Sequence, residues 1–357
     1  MAHTAEPMAA VVGRLTLARI IAGRLRVVRP VLAAASAWCV SWRAVIDRAD
    51  PAVTWLLASD EPAVQALTLT GVLGLPADDP EVRAARERFS EGPIARQLLS
   101  YAGEHVYAKW RGPFWRLTSL VELGVPSGRP EACEYLRMVL EWLRHIEARG
   151  YPPRIAGMPR AHALWYGHAL AAAVALEWRD VDDTKWLIER LLEWQWRDGG
   201  WNCDRHPSPS CSSVHETLGP LWGLAAYHRA NGDAAAEHAA QHAAEFFFER
   251  RLFRSRRNGE VINPTWLEFR SPANYHYNVL QALWVLAGAG LLPDSRAADA
   301  VSLVRSARST DGKWDANGRW WRPGRSGPYR EAADWGPSRP NMLVTLKALT
   351  VLRAVDA

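Results

Sequence analysis

Cysteine is scarce: Cys39, Cys133, Cys203 and Cys211 are the only four in a chain of 357 residues. That is too few for a disulfide scaffold at this length, so a reducing compartment, the cytoplasm, is expected and the thiols stay available as ligands. Basic runs are missing too. The 43 Lys and Arg against 38 Asp and Glu leave a net charge of +5, but the arginines are scattered, and nothing points to a nucleic-acid partner. An uninterrupted apolar run of about 20 residues is also absent, which excludes a spanning helix. Arg14, Arg19, Arg24, Arg26 and Arg29 break up residues 9–29, and Val31–Trp42 is too short. No nucleotide or flavin motif is present. Alternating apolar and polar runs rich in Val, Ile and Thr are nearly absent, so strands are not expected.

What remains is 48% hydrophobic and 23% charged, the balance of a globular protein with a large core. From about residue 100 the chain reads as helix, loop, helix. Five segments open on an aromatic, His or Asn and continue as small-apolar helices: Trp110–Gly124, His162–Leu176, His215–Gly232, His276–Gly290 and Asn341–Val355. One two-helix unit fits each interval, the mark of a helical repeat array. Between them run Glu131–Arg149, Asp183–Trp196 and Ala234–Phe253, each with a charged face. Upstream, Asp50–Leu57, Asp60–Leu73 and Asp79–Phe89 begin on Asp-Pro or Asp-Glu-Pro caps. The expectation is an all-α domain over residues 49–357, with apolar inner and charged outer helices. Residues 1–48 form a basic helical extension. It either packs on the domain or lies on a membrane surface through residues 9–29, which would make the protein peripheral.

Two helix-to-loop passages, Gln195-Trp-Arg-Asp-Gly-Gly-Trp201 and Ser309-Thr-Asp-Gly-Lys-Trp314, share a Gly-x-Trp turn that the first opens with Gln and the second does not. On these the chain resembles the α/α-toroid superfamily of terpenoid cyclases and protein prenyltransferase β subunits. Lys109–Trp115, Asp198–Cys203, Ser212–Thr217 and Tyr275-His276-Tyr277 bring it nearer to bacterial squalene-cyclase-like or prenyltransferase-like proteins of that superfamily. The resemblance implies an α/α toroid, a barrel of inner and outer helices, over roughly residues 50–357, and no particular reaction.

Chemistry concentrates where an irregular Pro- and Ser-rich loop runs into an inner-helix start. There Cys203, Asp204, His206, Cys211, His215 and Glu216 offer a density of ligand types that suits a transition metal. In prenyltransferase β subunits zinc ligands open successive inner helices. The resemblance therefore implies that His215 and His276 converge with Cys203 or Glu216 around Zn²⁺, one position left open. The alternative is a metal-free site with His215, Glu216 and Asp204 in acid–base roles; Cys203 as nucleophile is a third reading. Arg111, Trp115, His162, Trp165, Tyr166, Tyr277 and Asn278 fall in the first turns of inner helices and are candidate substrate-binding residues, although most of the aromatics should be core.

An aromatic inner wall suits a small, largely apolar, isoprenoid-like molecule, and Lys109, Arg111 and Arg205 suit an anionic head. Trp320–Arg339 is a candidate lid. Asp180-Val-Asp-Asp-Thr184 matches the acid motif of class II terpene cyclases, which would make Asp182 a proton donor; its place ahead of an outer helix reads instead as an acidic N-cap. An enzyme is the leading expectation, and a non-catalytic lipid- or partner-binding toroid is the rival.

Overall fold

The computed structural model describes residues 46–318 and 331–357. Expectations for the N-terminal extension up to residue 45, and for the lid up to residue 330, lie outside the described residues. One compact unit runs from Ile46 to Ala357. It is 55% helix and 2% strand, the all-α class that the lack of strand patterning predicts. No described helix is long and apolar enough to cross a membrane.

Thirteen α-helices are present among the described residues. The first four are short: α1 (Pro51–Leu57), α2 (Pro62–Leu67), α3 (Pro80–Glu87) and α4 (Pro93–Leu99). Each starts on a proline, whose fixed φ and missing N–H suit the first helical position. A π-helical turn, Thr68–Val72, continues α2. Then two kinds of helix alternate. The inner set is α5 (Pro113–Glu122), α7 (Ala163–Ala175), α9 (Val214–Asn231), α11 (Val279–Gly288) and α13 (Met342–Asp356). The outer set is α6 (Pro130–Ala148), α8 (Val181–Trp194), α10 (Ala234–Phe248) and α12 (Ala298–Ser306). Helices α4 and α12 fall outside the sequence expectation because, at 7 and 9 residues, they are too short to show periodicity, and neither opens on the Asp-Pro or Asp-Glu-Pro cap that marks α1, α2 and α3. Strands β1 (Arg154–Ile155) and β2 (Met158–Pro159) form a small antiparallel hairpin.

Burial separates the two sets. Helix α7 buries 9 of its 13 residues, whereas α6 buries 6 of 19 along one stripe. The inner helices pack in succession, α5 on α7, α7 on α9, α9 on α11 and α11 on α13, and α13 then packs on α2 and Thr68–Val72. Each of α6, α8, α10 and α12 packs against the inner helix before it.

The two Gly-x-Trp turns build the same structure twice. Trp201 and Trp314 are both completely buried. Trp201 Nε1 donates to Leu191 O at 3.0 Å, and Trp314 Nε1 to Val304 O at 2.7 Å. The backbone N–H of each tryptophan reaches a threonine on the next inner helix, Thr217 Oγ1 at 3.2 Å and Thr345 Oγ1 at 3.0 Å. Gly199 and Gly312 take φ of 90° and 83°, open to glycine at little cost.

Arg308 stands where the second copy lacks glutamine and does the same work. Gln195 Nε2 donates to Gly199 O and to Ala239 O on α10; Arg308 Nε donates to Gly312 O, and its Nη2 to Asp50 Oδ2, the N-cap of α1. The first turn ties a repeat to its successor; the second ties the last repeat to the first helix.

Candidate metal-binding and acid–base centre

Three side chains of metal-ligand type meet at the N-terminal ends of α7 and α9. His162 is the N-cap of α7, Glu216 lies in the first turn of α9, and Cys203 stands in the loop that follows Trp201. One ligand atom from each lies within 4.8 Å of the other two, and among the described residues no other three His, Cys, Asp or Glu do so.

The local sequence explains the meeting. A Cβ on Gly167 would sit 2.2 Å from the Gly219 carbonyl carbon, and one on Gly223 2.3 Å from Gly167 O, so α7 and α9 touch backbone to backbone. Only glycine allows that approach. Pro220, inside α9, lacks the N–H that would bond the Glu216 carbonyl four residues earlier. Asp198 holds the base of the Cys203 loop, accepting from Ser212 N at 2.8 Å and from Ser212 Oγ at 2.5 Å.

Glu216 has no exposed surface, and its oxygens are partnered. His162 Nδ1 lies 2.9 Å from Oε1, Leu164 N donates to Oε2 at 3.3 Å, and the Cys203 thiol hydrogen-bonds the same carboxylate. The carboxylate of α9 thus caps the Leu164 N–H at the start of α7, where the helix dipole also favours negative charge. With Nδ1–H given to Glu216, the His162 ring offers Nε2 as base or ligand. The His162 side chain is 36% exposed, so the centre opens to solvent on that side.

Cys203 is a poor nucleophile here. Burial, then the adjacent Glu216 carboxylate, raises its pKa far above the ordinary thiol value, so it stays protonated at neutral pH. Around the centre lies an aromatic shell. Trp165 stacks on His162 at 4.3 Å between ring centroids and contacts Tyr107 at 5.0 Å and Tyr151 at 5.9 Å. The Tyr151 hydroxyl accepts from His162 N. Burial first, then the Glu216 charge, raises the pKa values of Tyr107, Tyr151 and Tyr275, Tyr107 to about 12. They are hydroxyl groups, not phenolates, at neutral pH.

His215 and His276 do not join this group of ligand atoms. His215 stacks on Tyr275 at 5.3 Å, and both histidines line a small interior cavity of about 20 Å³. His276 opens no helix: its N–H bonds Ala273 O in a turn, and α11 begins only at Val279. Asn278 is the N-cap of α11, accepting from Gln281 N at 3.0 Å. Asp204 is exposed and turned into its own loop, where it accepts from His206 N. Tyr166 points to the outer layer and donates to Glu147 Oε1 at 2.8 Å; Tyr277 donates to Leu252 O at 2.6 Å. Trp115 is core, packed on Trp110 at 4.5 Å, and Arg111 faces Glu104 at 3.7 Å. Of the predicted residues, Cys203, Glu216, His162 and Trp165 form the centre.

Two groups are not among the candidate site residues that the sequence offers. Tyr107, Tyr151 and Tyr275 sit in irregular segments, where no periodicity assigns a direction to a side chain. His168 lies on α7 two turns beyond His162, and only its place on an inner helix signals it. In the other half of the DVDDT stretch, Asp180 accepts from Asp182 N and Asp183 N as the N-cap of α8, while Asp182 itself is exposed.

Comparison with protein-family models, curated proteins and solved structures found no match to this chain. The chemistry of the centre is read from its geometry.

Proposed function

We propose that this chain is an enzyme built on an α/α toroid, with His162, Cys203 and Glu216 as its reactive centre and a small, largely apolar, isoprenoid-like molecule as its substrate. The convergence of these three side chains within 4.8 Å carries the reading. The toroid is supported by the succession of inner helices and by the Arg308–Asp50 contact, 2.5 Å, between the last repeat and the first helix. The apolar substrate is supported by the aromatic shell of Tyr107, Tyr151, Trp165 and Tyr275.

The donor set fits a borderline-soft cation. Imidazole nitrogen, thiol sulfur and carboxylate oxygen are all zinc ligands, and bonds of about 2.0–2.3 Å require the donors to stand roughly 3.3–3.8 Å apart. Donors spread over up to 4.8 Å reach that spacing with side-chain shifts of about an ångström. Zinc bound there would supply Lewis acidity and replace the Cys203 proton. His162, Glu216 and Cys203 would hold it; without metal, His162 and Glu216 are instead the acid–base pair. Convergence on one point, with both Glu216 oxygens hydrogen-bonded and one ring reaching solvent, favours this reading over a non-catalytic binding toroid. Asp182, exposed on α8, contributes nothing to it.

Elemental analysis of the purified chain tests the proposal. About one zinc per chain is expected, lost in Cys203→Ser and in His162→Ala while the helical circular-dichroism signal is kept. Wild-type protein free of stoichiometric transition metal removes the zinc reading.

A further inference from the structure

We infer that the arginine-rich hairpin between α10 and α11 docks this protein on the anionic headgroups of a phospholipid bilayer, by the end at which the inner helices start. The connections that lead into the five inner helices lie together at that end. Trp110, before α5, packs on His276, before α11, at 5.8 Å; Ala332 N, before α13, donates to Trp110 O at 3.1 Å; His162 and Glu216 meet across the starts of α7 and α9. Among the described residues these connections hold 16 Lys and Arg against 10 Asp and Glu, whereas the four connections at the opposite end hold 3 against 4. Positive charge is therefore gathered on one end, the end that carries the His162 centre.

Half of that excess sits in one connection. Residues 249–278 hold six arginines and three glutamates, and their first part folds as a hairpin closed by an antiparallel bridge between Arg254 and Val261. Ser255 N donates to Glu260 O at 2.8 Å and Ile262 N to Phe253 O at 2.9 Å, which fixes the tip. An open groove of about 400 Å³ runs along it, with three arginines, Arg250, Arg256 and Arg257, in its wall and Val261 and Ile262 as an apolar lip. The one acid in the wall, Glu260, accepts from Asn258 Nδ2 at 2.6 Å. Arg257 is exposed and pairs with no acid among the described residues. Arg256 has the exposed Glu249 at 2.9 Å, a pair that solvent weakens and a phosphate can replace.

The exposed apolar side chains fall on the same end. Val261 and Ile262 are 36% and 44% exposed, and Tyr101, in the connection before α5, is 36% exposed; of the large apolar residues left exposed among those described, only Val181 lies at the other end. Cations beside an aliphatic lip match a bilayer, which offers phosphate at its surface and hydrocarbon beneath it. A nucleic acid would satisfy the arginines but give Val261 and Ile262 nothing to stack on. Residues 1–45, with six arginines and one glutamate, carry the same sign as the hairpin and do not complement it. This surface is distinct from residues 9–29. Docking by this end turns the solvent side of the His162 centre toward lipid, the source of an apolar substrate; that consequence alone rests on the substrate reading above.

Flotation of the full chain with vesicles, chelator present, tests this. Vesicles of about three parts phosphatidylcholine to one of phosphatidylglycerol should carry the protein at low salt and release it as salt rises, and phosphatidylcholine alone should not carry it. Arg256→Gln combined with Arg257→Gln should weaken binding about thirtyfold, at roughly fivefold per cation. Val261→Ser combined with Ile262→Ser should weaken it about tenfold and leave its salt dependence intact. Val181→Ser, at the opposite end, should leave binding unchanged, and a retained helical signal shows that each variant folds. No binding to the phosphatidylglycerol vesicles, equal binding to phosphatidylcholine alone, folded hairpin variants that bind like wild type, or polyuridylate bound more tightly than vesicles at equal phosphate concentration would each overturn the inference. The vesicles hold no substrate and the chelator removes metal, so none of these outcomes depends on the function proposed for the His162 centre.

Discussion

Acid should destabilise this fold through His168, and the size of the effect follows from where the ring sits. His168 lies on α7 with its Nδ1 3.2 Å from Thr118 Oγ1, stacked on Phe114 at 5.8 Å and edge-on to Trp222 at 5.5 Å. Its remaining surface faces the interior cavity of about 20 Å³, which it shares with His215 and His276. Burial lowers its pKa from 6.5 to about 3. The folded state therefore keeps the ring neutral while the unfolded chain takes up a proton below pH 6.5. Stability from the neutral ring is complete above pH 6.5 and is lost as pH falls toward 3.

Two pH units below 6.5, at about 1.4 kcal/mol per unit, make the loss roughly 3 kcal/mol at most. Water in the small cavity would solvate the ring and reduce it to about half. Burial pushes His215 and His276 down as well, His276 to about 4 with help from its cationic neighbours, so the whole fold should be more acid-sensitive than His168 alone makes it. Urea unfolding at neutral pH and near pH 4.5 should show wild type losing about 1.5–3 kcal/mol more than His168→Leu, even though the variant starts lower for want of the Thr118 bond. Parallel losses in the two proteins would refute the reasoning.

The DVDDT stretch offers a contrast between neighbours: Asp180→Ala should cost about 1 kcal/mol as a lost N-cap, whereas exposed Asp182→Asn should change stability by less than about 0.5 kcal/mol, both read by thermal or urea unfolding. Equal effects would sink the cap assignment. Gly167→Ala forces a methyl into the Gly219 backbone at 2.2 Å, and overpacking of that kind costs about 3 kcal/mol or more. On the zinc proposal it should also lower metal stoichiometry, because α7 and α9 carry His162 and Glu216 apart. A variant with wild-type stability and metal content would show that the two helices do not need the contact.

Legibility followed periodicity. The inner helices show in the sequence because each is apolar over most of its surface, as α7 is with nine buried residues. The buried tryptophans were readable for a different reason, since Gly-x-Trp names both the turn and the side chain that folds back on it. The site was half readable. Cys203 and Glu216 stand in a stretch whose composition draws notice, but their partner His162 comes from the preceding repeat. Spacing along the chain points His215 toward His276, one repeat further on. The structure turns Glu216 back toward α7 instead, because successive residues of a first helical turn face different neighbours: His215 looks to Tyr275, and Glu216 to the start of α7. No count of residues between histidines distinguishes those directions.

The repeat itself supplies the reason the centre forms at α7 and α9 and not elsewhere. Both Gly-x-Trp turns end by setting a tryptophan N–H on a threonine of the next inner helix, Thr217 or Thr345, and by accepting a backbone bond on the tryptophan carbonyl, from Ser213 N at 2.8 Å or Asn341 N at 2.9 Å. Each copy therefore fixes an inner-helix start to better than a side chain's width. In the second copy the residue just before Thr345 is Val344, and Asn341 caps α13 with its own side chain. In the first copy the same place holds Glu216, and Ser213, at the cap position of α9, makes no side-chain cap bond. The scaffold is common to both turns; the carboxylate is particular to one. Where Glu216 replaces an apolar residue at a rigid helix start, beside two glycines that bring the neighbouring helix within backbone contact, a fully buried charge acquires a histidine, a thiol and a helix N-terminus as its company.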